Sequence, residues 1–454
     1  MTEMFVNSKQ TDRGPGTEVS FLGHPAHFAP AQSGKAVSRP TSAEETGRAA
    51  VILYSYYEID PRPRRASEAL ARAGFQVDVI CLRRDSSTPK RETINAVNVY
   101  RVSLRHRRGG KLFYALQYLY FLVRAFFRLS AWSLKKRYSV VHVHNMPDFL
   151  VFSALLPRLL GARVILDLHD PMPELFAALF DASPESFALR FLKRMEKWSM
   201  GFADLVLTPN QAFKELFVSR GCPAEKIEIV MNSPQTDIFH ERKVNVPPAV
   251  VCGARPFLLM YHGLLVERHG LDLAIATVAA LRLRIPQTEL HIYGAQTDFV
   301  KASLRLVRLW NLEEMVFYHG FKSLPEIADA IAPIDLGVVP NRLNPFTRIN
   351  LPTRIFEYLA MGKAVIAPRT KGIQDYFKED ELLFFEPGNV DDLARGIEWV
   401  YHNPCETRSM VARGRKVYER HTWDFEQDRF TGLVEGLIGT RGRAVLPINR
   451  LAAR

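Results

Sequence analysis

The chain has 454 residues, 47% apolar and 24% charged, which excludes an intrinsically disordered protein and exceeds what one hydrophobic core commonly holds. Its 60 Lys and Arg against 48 Asp and Glu leave a net charge of +12, which points to a phosphorylated substrate, nucleic acid or an anionic lipid surface as partner. The four cysteines, Cys81, Cys222, Cys252 and Cys405, are too far apart for a metal or redox motif and fit reduced thiols in a cytosolic setting.

Residues 1–48 are rich in Gly, Pro, Ser, Thr and Ala without periodicity and read as a disordered tail with no secretory signal. Strands then alternate with helices. Ala50–Tyr54 predicts a strand, Arg62–Ala73 a helix and Gln76–Leu82 a strand. Short apolar strands follow at Val140–Val143, Val164–Leu168, Leu205–Thr208 and Ile227–Val230. The pattern pauses over 241–256, where Pro247, Pro248, Gly253 and Pro256 mark a linker. It restarts with strands at Phe257–Tyr261, Glu289–Tyr293, Val316–Tyr318, Ile334–Val339 and Ala364–Ala367, and with helices near Leu271–Arg284 and Phe299–Leu309. The alternation predicts two doubly wound, Rossmann-like α/β domains, 49–240 and 257–408, facing each other across a ligand-binding cleft. Residues 409–438 read as helix broken near His421–Asp424, and 439–454 as a basic tail.

Residues 351–367 are the most informative segment. Pro352 can open a helix and Gly362 close it; Ile355, Phe356 and Leu359 give it a buried face that excludes Glu357. A strand, loop and helix N-terminus in that order make an anion site, because free N–H groups and the helix dipole favour phosphate. An ordinary αβ unit with one surface Glu is the competing reading.

Between Glu92 and Asp148 no acidic residue occurs. Within this span, segment 105–137 combines Arg and Lys with a greasy run, Leu112–Trp132, in which Gln117, Arg124, Arg128 and Lys135 fall on one stripe. The uninterrupted apolar run is shorter than the ~20 residues that cross a bilayer. A basic amphipathic helix with aromatics predicts an in-plane membrane anchor, with Phe113, Tyr120, Phe126, Phe127, Trp132, Arg124 and Arg128 as contacts. A buried domain helix with snorkelling Arg side chains is the alternative. The wide apolar surface and the lack of a reader motif count against nucleic acid.

The second half resembles the retaining glycosyltransferases of family 4, of GT-B architecture and bacterial cell-surface polysaccharide type, through Tyr261–Gly270, Glu289–Gly294, His319-Gly320 and the segment around Glu357. The first half is similar to that family's acceptor domain through Tyr56–Arg62, Val141–Asp148 and Ile165–Asp170. The resemblance implies metal-independent sugar transfer from a UDP- or GDP-sugar, with retention and no cofactor. Glu357 matches the family's second paired glutamate, which binds the ribose; a carboxylate can accept from two neighbouring hydroxyls. Ile349 stands where the first glutamate is expected, and Leu264 and His269 where a basic pair is. The diphosphate charge is then expected to fall to Arg268, with Gly263, Thr353, Arg354 and Lys363 completing the donor site; a solvated loop Arg is the rival reading.

His169 ends a buried strand where α/β folds bind ligands and is the expected catalytic residue, with Asp170 beside it; a satisfied core histidine is the alternative. Asp60, Arg62 and His144 are the acceptor-side candidates. His142 and His144 share a strand face, but two histidines without a third ligand make a poor metal site, and none is expected. An interfacial helix suits a polyprenyl-diphosphate-linked saccharide acceptor of exopolysaccharide, capsule or O-antigen assembly. It implies a cytoplasmic enzyme held on the inner face of the plasma membrane. A nucleotide-sugar epimerase or phosphorylase, and a catalytically degraded partner in an assembly complex, are the rival functions.

Overall fold

The computed structural model describes residues 47–104, 111–180, 182–183, 185–242 and 255–439. The first sheet contains β1 (Arg48–Ile52), β2 (Gln76–Leu82), β3 (Arg91–Ile94), β4 (Val97–Val102), β5 (Val140–His144), β6 (Arg163–Asp167), β7 (Leu205–Thr208) and β8 (Ile227–Ile229). Its spatial order is β3-β4-β2-β1-β5-β6-β7-β8, all parallel except the β3–β4 hairpin. The central strands are almost wholly buried, as sheets covered on both faces must be. Sequence reading misses β3 and β4: the first is exposed and polar, and their two-residue turn uses positive φ at Asn95 and Ala96 instead of a glycine.

The second sheet, β9 (Phe257–His262), β10 (Thr288–Tyr293), β11 (Val316–Tyr318), β12 (Leu336–Val338), β13 (Ala364–Pro368) and β14 (Leu383–Phe385), runs β11-β10-β9-β12-β13-β14 and is wholly parallel. Helix Thr353–Ala360 follows β12 and buries Ile355, Phe356 and Leu359, leaving Glu357 half-buried at the cleft end.

The domains are tied in three places. Helix Trp423–Gly439 returns to the first domain and packs Trp423, Phe430 and Val434 into its core beside helix Pro61–Arg72. Buried Glu426 accepts from the Met231 amide at 3.0 Å. The loop before helix Thr353–Ala360 sends Phe346 and Ile349 into the first domain's core, with the Phe346 and Phe213 rings 6.2 Å apart. Ile349, 7% exposed, is therefore an apolar domain contact at the position where the resemblance expects a carboxylate.

Helix Lys111–Lys135 lies on the first sheet through Tyr118, Phe121, Ala125 and Leu129. Gln117 belongs to this buried stripe and accepts from the Tyr54 hydroxyl at 3.3 Å, so the expected Gln117–Arg124–Arg128–Lys135 polar face is corrected. The helix is apolar on its outer side as well: Leu116, Leu119, Tyr120, Val123, Phe127 (67% exposed) and Leu134 face outward. Two of the anticipated membrane contacts are less available. Phe126 is half-buried, and Trp132 packs on Tyr100 of β4 with ring centroids 4.4 Å apart. Arg124 and Phe113 are exposed, and Arg128 is half-buried over the Trp132 ring. No helix among the described residues is long and apolar enough to cross a membrane.

Candidate active site

Parallel strands deliver their carboxyl ends to the cleft, and the site is built there from both domains. On the first domain, β6 ends at Asp167 and the chain continues through Leu168 to His169 and Asp170. Asn145 clamps that turn: its Oδ1 accepts from the His169 amide at 3.1 Å, and its Nδ2 donates to the Asp170 carbonyl at 2.6 Å and to Asp148 at 3.1 Å. Burial, reinforced by Arg62, pushes the His169 imidazole down to about 3, so it is neutral at physiological pH. Burial also lifts the Asp170 carboxyl to about 6, against the opposing pull of Arg268 and Arg62.

On the second domain, His262 ends β9 and Gly263 follows with φ of 119°, in the left-handed region that favours glycine. A Cβ there would meet the Arg354 guanidinium at 3.5 Å, and one on Gly294 would meet the Gly263 carbonyl at 2.2 Å. Gly294 thus keeps backbone close to backbone at the ends of β9 and β10, while Gly263 is needed for its left-handed turn. Arg354 stacks over the Tyr261 ring, 4.9 Å from its centroid.

Glu357 Oε2 lies 2.5 Å from His262 Nε2, and His262 Nδ1 lies 2.8 Å from the Tyr358 hydroxyl. The Tyr358 hydroxyl also lies 2.9 Å from the Met260 carbonyl, which fixes the ring that positions His262. Among the described residues Glu357 Oε1 makes no hydrogen bond. Thr353 accepts from Asn232 Nδ2 at 3.0 Å, and Asn232 also accepts from Arg65, fastening the start of the helix to the interdomain segment.

Arg268 is 7% exposed, and among the described residues its Nε and Nη2 have no hydrogen-bond partner; neither does Arg354 Nη1. Burial pulls the Arg268 guanidinium below its ordinary value, with Asp170 of the opposite domain acting against that. His269 is no substitute cation. It is buried, its Nδ1 contacts the Leu264 carbonyl at 2.9 Å, and burial with Arg354 and Arg268 nearby holds its pKa well below the usual range.

Three sequence expectations are corrected. His144 does not open on the cleft: it is 1% exposed, its ring tilted against that of His142 with centroids 4.2 Å apart. Arg62 is already engaged by Asp167, Nη2 to Oδ1 at 2.7 Å and Nε to Oδ2 at 3.1 Å. Lys363 precedes β13, at the amino end of the strands and away from their carboxyl ends at the cleft, and lines a separate cavity of about 530 Å³ with Arg255 and Asp335. Asp60 accepts from Ser55 at 2.8 Å and is close enough to act electrostatically on both His169 and Asp170.

A third ligand for the paired histidines does exist. His142, His144 and Asp167 offer atoms within 4.8 Å of one another, though Arg62 already places a cation on that carboxylate. Strand pairing explains why sequence reading misses it: β5 and β6 set His144 opposite Asp167. His262 and Tyr358 were also missed, although His262 sits at the carboxyl end of a strand, the position that marks His169.

Two Rossmann-like domains with a cation-lined cleft at their strand ends define the GT-B class. Residues 59–233 match the family model described as glycosyl transferase 4-like domain, and 252–417 match glycosyl transferases group 1. Glycosyltransferase MJ1607 of Methanocaldococcus jannaschii is 23% identical over 375 residues, 79% of this chain and 89% of that protein. The putative colanic acid biosynthesis glycosyltransferase WcaL of Salmonella typhimurium is 22% identical over 240 residues, 52% of this chain and 57% of WcaL. The crystal structure of Anabaena HepE in complex with UDP-glucose superposes with a TM-score of 0.64 at 15% identity, covering 86% of this chain and 99% of that one. The chain is a glycosyltransferase of GT-B fold, assembled from a glycosyl transferase 4-like domain and a group 1 domain.

Proposed function

We propose that the enzyme transfers a sugar from a UDP- or GDP-linked donor, with retention and without a metal, to a polyprenyl-diphosphate-linked saccharide at an anionic membrane surface. The observation that carries this is Arg268: a buried guanidinium whose Nε and Nη2 have no partner among the described residues needs an anion, and Arg354, which like Arg268 acts on His269, has an unpartnered Nη1 as well. A donor diphosphate satisfies both, and it gains charge as the glycosyl bond breaks, so fixed cations favour the transition state over the ground state.

Glu357 takes the ribose hydroxyls through Oε1. His169 and Asp170 stand on the acceptor side, His169 as a neutral polar group and Asp170 as the group able to take a proton near neutral pH. The polysaccharide reading is supported by the likeness to WcaL, and retention by the family resemblance. The apolar outer side of helix Lys111–Lys135, together with Arg124, supports attachment to an anionic leaflet.

Ile349 favours a second reading, a binding-only partner in a polysaccharide assembly complex, because the position is spent on domain packing. One experiment separates the two. A panel of UDP- and GDP-sugars is screened for thermal stabilisation, and the stabilising sugar is then followed for turnover, with the product anomer read by NMR. A stabilising donor that is turned over with retention is expected; a donor that binds without turnover leaves the binding-only reading, and no donor binding defeats both.

A further inference from the structure

A second basic, aromatic helix lies beside the first. Helix Phe187–Phe202 exposes Phe187, Phe191 and Trp198, with Arg190, Lys193, Arg194 and Lys197 on the same outer surface. Its single acidic residue, Glu196, is buried. Between the two helices, roofed by helix Met172–Phe180, runs a cavity of about 310 Å³. Its walls include Ala115 and Tyr118 from the first helix, Phe176 and Leu179 from the roof, and Phe191 from the second helix.

We infer that this groove holds the isoprenoid segment of the acceptor lipid, an inference that rests on the lipid-linked acceptor proposed above. The occupant must be apolar, because among the described residues no charged side chain lines the cavity, and exposed Phe191 is part of its wall. It must also carry an anionic head at one end. The inner wall is made by Met146 and Met172, next to Asn145 and two residues beyond Asp170. The groove wall is thus continuous with the turn that carries Asp170, the residue that acts on Arg268 across the cleft, so a head group on a chain in the groove is directed toward that cation. The basic side chains of helix Phe187–Phe202 complement the anionic headgroups around the mouth. Met and aromatic walls adapt to a branched, unsaturated chain better than a rigid aliphatic slot would.

The test is calorimetric titration of the full chain with farnesyl diphosphate, inorganic diphosphate and dodecyl diphosphate, whose chain is as long but saturated and unbranched. Wild type is expected to bind farnesyl diphosphate roughly tenfold or more tightly than inorganic diphosphate, from burial of the chain. Ala115→Trp, which fills the groove from an exposed helix position, and Phe191→Asp, which charges its rim, should each bring the two affinities together. Equal affinities in wild type, or unchanged farnesyl affinity in both variants, would overturn the assignment. Dodecyl diphosphate binding as tightly as farnesyl diphosphate would overturn its isoprenoid specificity. Stabilisation by UDP and by GDP is measured in parallel: its retention in the variants shows that they are folded, and its absence for both nucleotides in wild type would defeat the proposed donor reading while leaving the farnesyl result to stand alone.

Discussion

His262 holds Glu357 from behind: Nε2 to Oε2 at 2.5 Å, with the imidazole itself fixed by Tyr358 at 2.8 Å. A charged acceptor aimed by a buried chain is already ordered before its ligand arrives, so the chain and the carboxylate should contribute to affinity together. Glu357→Ala should weaken UDP binding about 10- to 100-fold, the range of hydrogen bonds to charged groups. His262→Phe keeps the carboxylate but frees it, and should cost about tenfold. Titration of each variant with UDP checks both; a His262→Phe affinity equal to wild type would remove the orienting role.

Arg268 and Asp170 belong to different domains, and each acts on the other's ionisation. With Asp170 near 6, kcat/KM should fall on the acid side of about pH 6 as the carboxyl is protonated. Removing Arg268 removes an influence that lowers this pKa, so Arg268→Met should move the limb to higher pH. It should also lower kcat about 100-fold, the usual loss for one transition-state donor. Asp170→Asn should abolish the limb, since His169 at about 3 supplies none there. For stability the sign is the reverse of the usual Asp case: the contribution is fullest below the ordinary value of 3.8 and is lost as pH rises through about 6.

The Arg62–Asp167 pair is almost sealed from water, with side-chain exposures of 11% and 4%. Burial alone would raise the Asp167 carboxyl, but Arg62, His142 and His144 hold it well below the usual range. Arg62→Met leaves that carboxylate buried without its cation and should cost about 3–5 kcal/mol. Thermal or urea unfolding reads the loss, and because Arg62 also pulls the Asp170 carboxyl down, the acid limb of kcat/KM should move to higher pH in the variant.

Ile349→Glu restores the carboxylate that the family resemblance expects, yet it should not improve catalysis. The side chain lies in an apolar contact with the first domain's core, and an unpaired carboxylate there should cost on the order of 2–4 kcal/mol. A lowered melting temperature with no gain in donor affinity is the expected pair of results.

The outer side of helix Lys111–Lys135 makes a prediction independent of the groove. Leu116→Ser, Phe127→Ser and Leu134→Ser together should release the protein from vesicles containing phosphatidylglycerol, while UDP binding stays intact. Sedimentation with vesicles measures this. Wild-type binding should weaken with added salt, because basic residues attract the anionic surface within a Debye length.

The sequence alone determined that the chain alternates strand and helix twice around a Pro-rich pause, because each strand buried on both faces must be a nearly unbroken apolar run. Gln76–Leu82, Leu205–Thr208 and Val316–Tyr318 were readable to the residue for that reason. Ile355, Phe356 and Leu359 were readable as a helix face by spacing alone. Partners distant in sequence were not readable. Asp167 meets His144 and Arg62 only because β5 pairs with β6 and helix Pro61–Arg72 lies over their ends, and that contact takes Arg62 and His144 out of the open cleft. Lys363 looks like part of the Glu357 segment, but it follows the helix's C-terminal turn and opens β13 at the amino end of the strands, away from the carboxyl ends that face the cleft. Helix Lys111–Lys135 shows the same limit: periodicity revealed an apolar, basic helix, and only packing against the sheet decided which apolar face is core and which is left exposed. Local patterns record what a segment must bury; which side chain supplies the complementary charge is decided by the tertiary fold.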